Sequence, residues 1–131
     1  MNGNLQTSAA VNSSSLWRRL ARATIGEPSN LSEEAEQDLI RTAAEHGVSA
    51  LLDRRVHEGV LAGLSSASTD ALRAESRRLA ALDLALNQAT LKFVDLLAAR
   101  GIDVLLLKGA ALAHLVYDDS YLRPRSDIDV Y

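Results

Sequence analysis

Between Thr69 and Arg100, Leu72, Leu79, Leu82, Leu86, Ala89, Phe93 and Leu96 recur at the three-and-four spacing of one helical face, with no glycine or proline before Gly101. The stretch therefore predicts a single helix of about 30 residues and about 45 Å, with Thr69 or Asp70 as its N-cap and Gly101 as its stop. A chain of 131 residues holds one ordinary domain or part of one, so this element dominates whatever forms. Two readings of the helix stay open: a core or bundle helix, and a seam that pairs two copies of the chain. Glu75 at an inward position and the small number of heptads weigh against a regular coiled coil. Neither reading implies chemistry.

Hydrophobic residues make up 47% and charged residues 24% of the chain, the balance of a globular protein and not of a disordered one. The net charge of −3 provides no overall field for nucleic acid or anionic lipid, so any such binding is local. Aromatic residues, at 4%, are too scarce for a base-stacking platform. The absence of cysteine removes disulfides, thiolate metal sites and a cysteine nucleophile, and fits a reducing cytoplasm. The longest apolar run, Val104 to Leu107, is far below the ~20 residues that cross a bilayer. A cytoplasmic protein without a membrane segment is the expectation.

Residues 1–14 read as a flexible polar tail, and residues 15–100 as a helical region. Leu16, Leu20 and Ala23 give a short first helix stopped by Gly26 and Pro28. Its arginines, Arg18, Arg19 and Arg22, follow serines without an acidic residue before Glu27, so an import sequence is the alternative reading. Asn30 with Glu33 makes a capping box for a second helix that ends at His46-Gly47. Val48 to Val56 continues as a third, before a Gly/Ser-rich stretch from Gly59 to Ser68. Trp17 and Phe93 are read as core residues.

After Gly101 the pattern changes. Ile102 to Leu107 is a short apolar run suited to a buried strand, Lys108-Gly109 punctuates it, and Ala110 to Tyr117 returns to helix-forming residues. Residues 118–124 have loop composition, and Ser126 to Tyr131 alternates as a strand does. The fold class expected is α+β and mostly helical. A strand-helix-strand with two strands is marginal alone, so residues 101–131 read as the incomplete start of a sheet domain.

Asp127 and Asp129 are the sharpest chemical candidates, because residues two apart on a strand project from one face about 6.5–7 Å apart. Two such carboxylates suit Mg²⁺, which takes oxygen ligands from one or two carboxylates, water and substrate phosphates. Aspartate is frequent enough here for on the order of one such pair by chance, so a solvated or capping pair is the competing reading. Lys108, Gly109 and Ala110 at a helix start offer outward N–H groups, a favourable dipole and a point charge, which suits phosphate. A plain strand-to-helix turn with a solvated lysine is the alternative there. Arg125 suits bidentate phosphate contact, and with Arg123 it also reads as a basic loop pairing Asp118 or Asp119. His46, His57 and His114 lack partners at ligand spacing and receive no catalytic role. No G-x-S-x-G sequence supports a serine hydrolase.

The segment LLLKGAALAHLVYDDSYLRPRSDIDV, through Lys108-Gly109, Leu112, Tyr117, Arg125 and Asp127-Ile128-Asp129, resembles a group of bacterial nucleotidyltransferases within the DNA polymerase beta-like superfamily. HGV at His46 to Val48 and the long helix near Asn87 are similar as well. The resemblance implies that Gly109 and its neighbours hold the triphosphate, that Asp127 and Asp129 hold Mg²⁺, and that an NTP and an unknown acceptor are the substrates. Ala110 stands where the superfamily usually has glycine or serine, so a hydroxyl ligand is missing. The third carboxylate common on a later strand is also missing, so the resemblance implies a truncated and inactive core. A non-catalytic helical interaction module, dimerising through the long helix, is the alternative function.

Overall fold

The computed structural model describes Arg18, residues 21–23 and residues 31–131. The polar tail of residues 1–14, Trp17 and the Asn30 cap lie outside the described residues; Arg18 and residues 21–23 are helical. The chain divides into two compact units, one ending at Arg73 and one running from Ala74 to Tyr131.

In the first unit, α1 (Glu33–Glu45) starts at Ser32, whose Oγ accepts the Ala35 N–H at 3.4 Å. Glu33, Glu34 and Glu36 then occupy the first turn, where the helix dipole favours negative charge. The helix ends where the sequence indicates. Gly47 adopts φ 67°, and the N–H groups of Gly47 and Val48 donate to the carbonyls of Ala44 and Ala43. That left-handed residue reverses the chain at little cost only because it lacks a Cβ. α2 (Ser49–His57) packs on α1. Leu39, Ala43, Leu52, Leu61 and Leu72 form the core with Ala23, and Leu31, Ile40, Val48 and Val56 lie against it.

The long helix α3 (Ser66–Ala98) has 33 residues and begins ahead of the expected Thr69. The reason is tertiary. Ser65 Oγ accepts the Ser68 N–H at 3.2 Å as an ordinary N-cap, but the returning half of the cap comes from α1. The buried carboxylate of Glu36 accepts the Ser65 N–H at 3.1 Å and the hydroxyls of Ser65 and Ser68 at 2.6 Å each. Burial pushes the Glu36 carboxyl up, and the hydrogen bonds from Ser65 and Ser68 outweigh it and hold the group below its usual range.

The second unit begins inside α3. Leu79 and Leu86 are half-buried as expected, but Leu82 (53% exposed), Phe93 (40%) and Leu96 (52%) are not. The inward face instead carries Asp83, Asn87, Thr90, Val94 and Leu97. Glu75, the anomalous inward charge, pairs with Arg78 at 2.6 Å. Gly101, at φ 71°, closes the helix as anticipated, with Gly101 and Ile102 donating to Ala98 and Leu97.

α4 (Lys108–Leu115) buries Ala110 and Ala113 and packs on a 3₁₀ turn, Ser120–Leu122, which buries Leu122. The two expected strands reduce to one isolated antiparallel bridge, Leu106 to Val130, among the described residues. Backbone bonds join Leu105 N to Tyr131 O at 2.8 Å, Tyr131 N to Leu105 O at 2.9 Å and Leu107 N to Asp129 O at 2.9 Å. Two extended segments alone give too few ladder bonds for longer strands. The chain is mostly helical, and no described helix is long and apolar enough to cross a membrane.

Replacing Glu36 by Gln lowers the unfolding free energy by about 1–3 kcal/mol at pH 7, because the serine donors lose a charged acceptor. A carboxyl whose pKa is depressed by folding stabilises above its unfolded value and loses that effect as pH falls through the folded one. The difference between variant and wild type therefore narrows below about pH 4.3. Denaturant titrations at pH 7 and pH 3 measure both, and a gap that does not change with pH contradicts the assignment.

Candidate functional site

The antiparallel register organises the site. Leu105 opposes Tyr131 and Leu107 opposes Asp129, so with a side-chain period of two, Asp127, Asp129 and Tyr131 share a face with Leu105 and Leu107. Val104, Leu106 and Ile128 share the opposite, more buried face. The acidic couplet is thereby directed away from the apolar side, at the end of the ladder where α4 starts.

Lys108 opens α4 with φ 46°, the one left-handed non-glycine residue among those described. A side chain held in that region costs about 1–2 kcal/mol, and such residues concentrate at functional turns. Lys108 Nζ lies 3.3 Å from Asp129 Oδ1, with the lysine side chain 75% and the aspartate 35% exposed. At that exposure the pair contributes under about 1 kcal/mol. No side chain caps the N-terminus of α4, so the first N–H groups, those of Lys108, Gly109 and Ala110, have no intrahelical partner. A Cβ on Gly109 would sit 3.9 Å from Arg125 Cβ, which brings the turn against the segment leading to the aspartates.

The structure thus brings Lys108, Gly109, Asp129 and Arg125 together. Asp127 is exposed and makes no hydrogen bond or ion pair among the described residues. In chemistry the two carboxylates are oxygen ligands of the kind Mg²⁺ takes. No third His, Cys, Asp or Glu joins them among the described residues, so water and substrate phosphates would supply the other ligands.

Arg125 is placed differently from the expectation of a basic loop. Its side chain is 3% exposed, and Nη2 donates to Asp83 Oδ1 at 3.2 Å and to Asn87 Oδ1. Asn87 Nδ2 donates to Asp83 Oδ2 at 2.9 Å, and the Ser120 hydroxyl donates to the same oxygen. His114 Nε2 lies 3.2 Å from Asn87 Oδ1, which can only accept, so that nitrogen carries the proton. Asp83, Asn87, Ser120 and His114 join the surroundings of the site without belonging to the set that the sequence points to. The available signal is an Asp-Asn pair four apart within α3, a spacing that stacks both on one face.

Residues 32–131 match the family described as uncharacterised nucleotidyltransferase. The chain belongs to that family. No curated protein and no solved structure matches it.

The left-handed turn yields a direct test. Lys108→Gly and Lys108→Ala remove the same ammonium but differ at the backbone, so the glycine variant is the more stable by up to about 1 kcal/mol. Thermal unfolding of the pair measures it; equal midpoints would mean that Lys108 does not hold a left-handed conformation.

Proposed function

We propose that the second unit forms the nucleotide- and metal-binding part of a nucleotidyltransferase that moves a nucleotidyl group from an NTP to an acceptor. The observation that carries this reading is the contact of Lys108 with Asp129, which joins the phosphate-suited turn and the acidic couplet in one site. The N–H groups of Gly109 and Ala110 hold triphosphate oxygens, and Lys108 adds positive charge beside them. Arg125, its charge met by Asp83 and its side chain buried, lies beneath the turn and does not reach the phosphates. Asp127 and Asp129 hold Mg²⁺ through carboxylate oxygens. When bound, Mg²⁺ offsets the charge that develops on the phosphate oxygens as the acceptor attacks the α-phosphorus in line. The protein's own part is to fix the triphosphate so that the leaving pyrophosphate points away from the incoming acceptor. The proposal includes membership of the DNA polymerase beta-like superfamily.

Asp127→Asn and Asp129→Asn each weaken binding of Mg²⁺-NTP by at least about tenfold, as expected when a metal loses a charged ligand. Calorimetric titration of NTP with and without Mg²⁺ tests this, and unchanged binding in both variants removes the metal assignment.

A second reading, self-association through α3, is favoured by the exposure of Leu82, Phe93 and Leu96, which share one face of the helix. Apolar side chains repeating along one helix are the usual material of a helix–helix seam. Leu82→Lys with Phe93→Lys then abolishes any concentration dependence in sedimentation, whereas a wild-type chain that sediments as a monomer at every concentration excludes the seam.

A further inference from the structure

The acidic couplet lies on a segment that holds no helix and has very little ladder of its own. Between Arg125 and the Asp129 carbonyl, no backbone hydrogen bond holds Ser126, Asp127 or Ile128. Carboxylates on so loosely bonded a stretch cannot be held at fixed positions unless both of its ends are anchored. The downstream anchor is the bridge at Leu106 and Val130 with its three backbone bonds. The upstream anchor is Arg125, and its partners come from the long helix.

We propose that Asp83 and Asn87 on α3 are positioning residues that, by clamping the Arg125 guanidinium, hold Asp127 and Asp129 in place for metal binding. The inference rests on the nucleotidyltransferase reading of the same site.

The chemistry of the cluster supports a positioning role over a ligand-binding one. Arg125 and Asp83 have side chains only 3% and 11% exposed, so neither is free to meet a solvent-borne substrate. The hydrogen bonds around Asn87 are mutually consistent: its oxygen accepts from Arg125 and His114, and its nitrogen donates to Asp83 and, at 3.4 Å, to Ser120. One amide therefore links four residues drawn from α3, α4, the 3₁₀ turn and the terminal segment. A side chain without both a donor and an acceptor at this position cannot do so. Two further guanidinium nitrogens of Arg125, Nε and Nη1, are buried without a partner, so the side chain stays inside only because Nη2 is well held. The close approach of Arg125 Cβ to Gly109 carries the same constraint to the phosphate-suited turn.

The test compares wild type, Asn87→Ala, Arg125→Lys and, as a control in the other unit, Glu36→Gln, which loses stability without touching the clamp. Two properties are read on the full chain. The first is backbone order at Ser126 to Asp129 from ¹⁵N relaxation; the second is affinity for Mn²⁺, an oxygen-seeking substitute for Mg²⁺, followed by electron paramagnetic resonance. Asn87→Ala is expected to lower order at residues 126–128 and to weaken Mn²⁺ binding about tenfold. Arg125→Lys, which keeps the charge but ends one bond short of the Nη2 position, should do the same, and Glu36→Gln should leave both readings at the wild-type level. Unchanged order in Asn87→Ala overturns the proposal without reference to any metal. Lower order with unchanged Mn²⁺ affinity overturns it too, while the metal assignment survives if Asp129→Asn still loses binding. A wild-type chain that binds no Mn²⁺ overturns both the clamp's purpose and the functional reading beneath it. Should Asn87→Ala fail to fold, Asn87→Asp keeps a side-chain acceptor while replacing the amide donor, and the same two measurements decide.

Discussion

A guanidinium withdrawn from water at Arg125 has to be met by opposite charge and by acceptors at fixed angles, and the second unit is arranged around that requirement. Asp83 supplies the charge, and Asn87 extends the acceptor set. Both sit on one face of α3, so that face must turn toward the terminal segment even though leucines are left outward in consequence. Burying another leucine stabilises by about 1.5–3 kcal/mol, whereas leaving a buried ion unpaired costs about 3–5 kcal/mol. The polar face wins. Function follows from the same choice, because the segment that Arg125 anchors is the one that carries Asp127 and Asp129.

The first unit answers a similar problem at Glu36. A buried carboxylate is tolerated there because Ser65 and Ser68 surround it with donors, and its charge lies at the start of α3, where the helix dipole favours it. In both units a polar group in the interior selects one arrangement among several that apolar contacts alone would allow. The apolar cluster of Leu39, Leu52, Leu61 and Leu72 supplies the driving force in the first unit but carries little directional information.

At the candidate site the turn and the acidic pair were legible as separate features, since each has a local signature: a lysine-glycine break before helix-forming residues, and aspartates two apart on an alternating segment. Their meeting at Lys108 and Asp129 was not, because it depends on the register of Leu106 against Val130. Arg125 is legible in the sequence as a cation, but its surroundings are not. Its acceptors, Asp83 and Asn87, lie 42 and 38 residues away along the chain, beyond the reach of any local pattern. Likewise α3 starts ahead of its local signal because its cap is completed by Glu36, 29 residues before Ser65.

The order of helices, the glycine stops at Gly47 and Gly101, and the mostly helical class follow from the sequence alone, because periodicity, missing Cβ atoms and cap chemistry act within a turn or two of chain. Which face of the long helix points inward, how far the two extended segments pair, and which residues hold the acidic couplet were decided only by the tertiary structure. Those outcomes depend on pairing a buried charge across the fold, and desolvation outweighs the hydrophobic pattern that a linear reading follows.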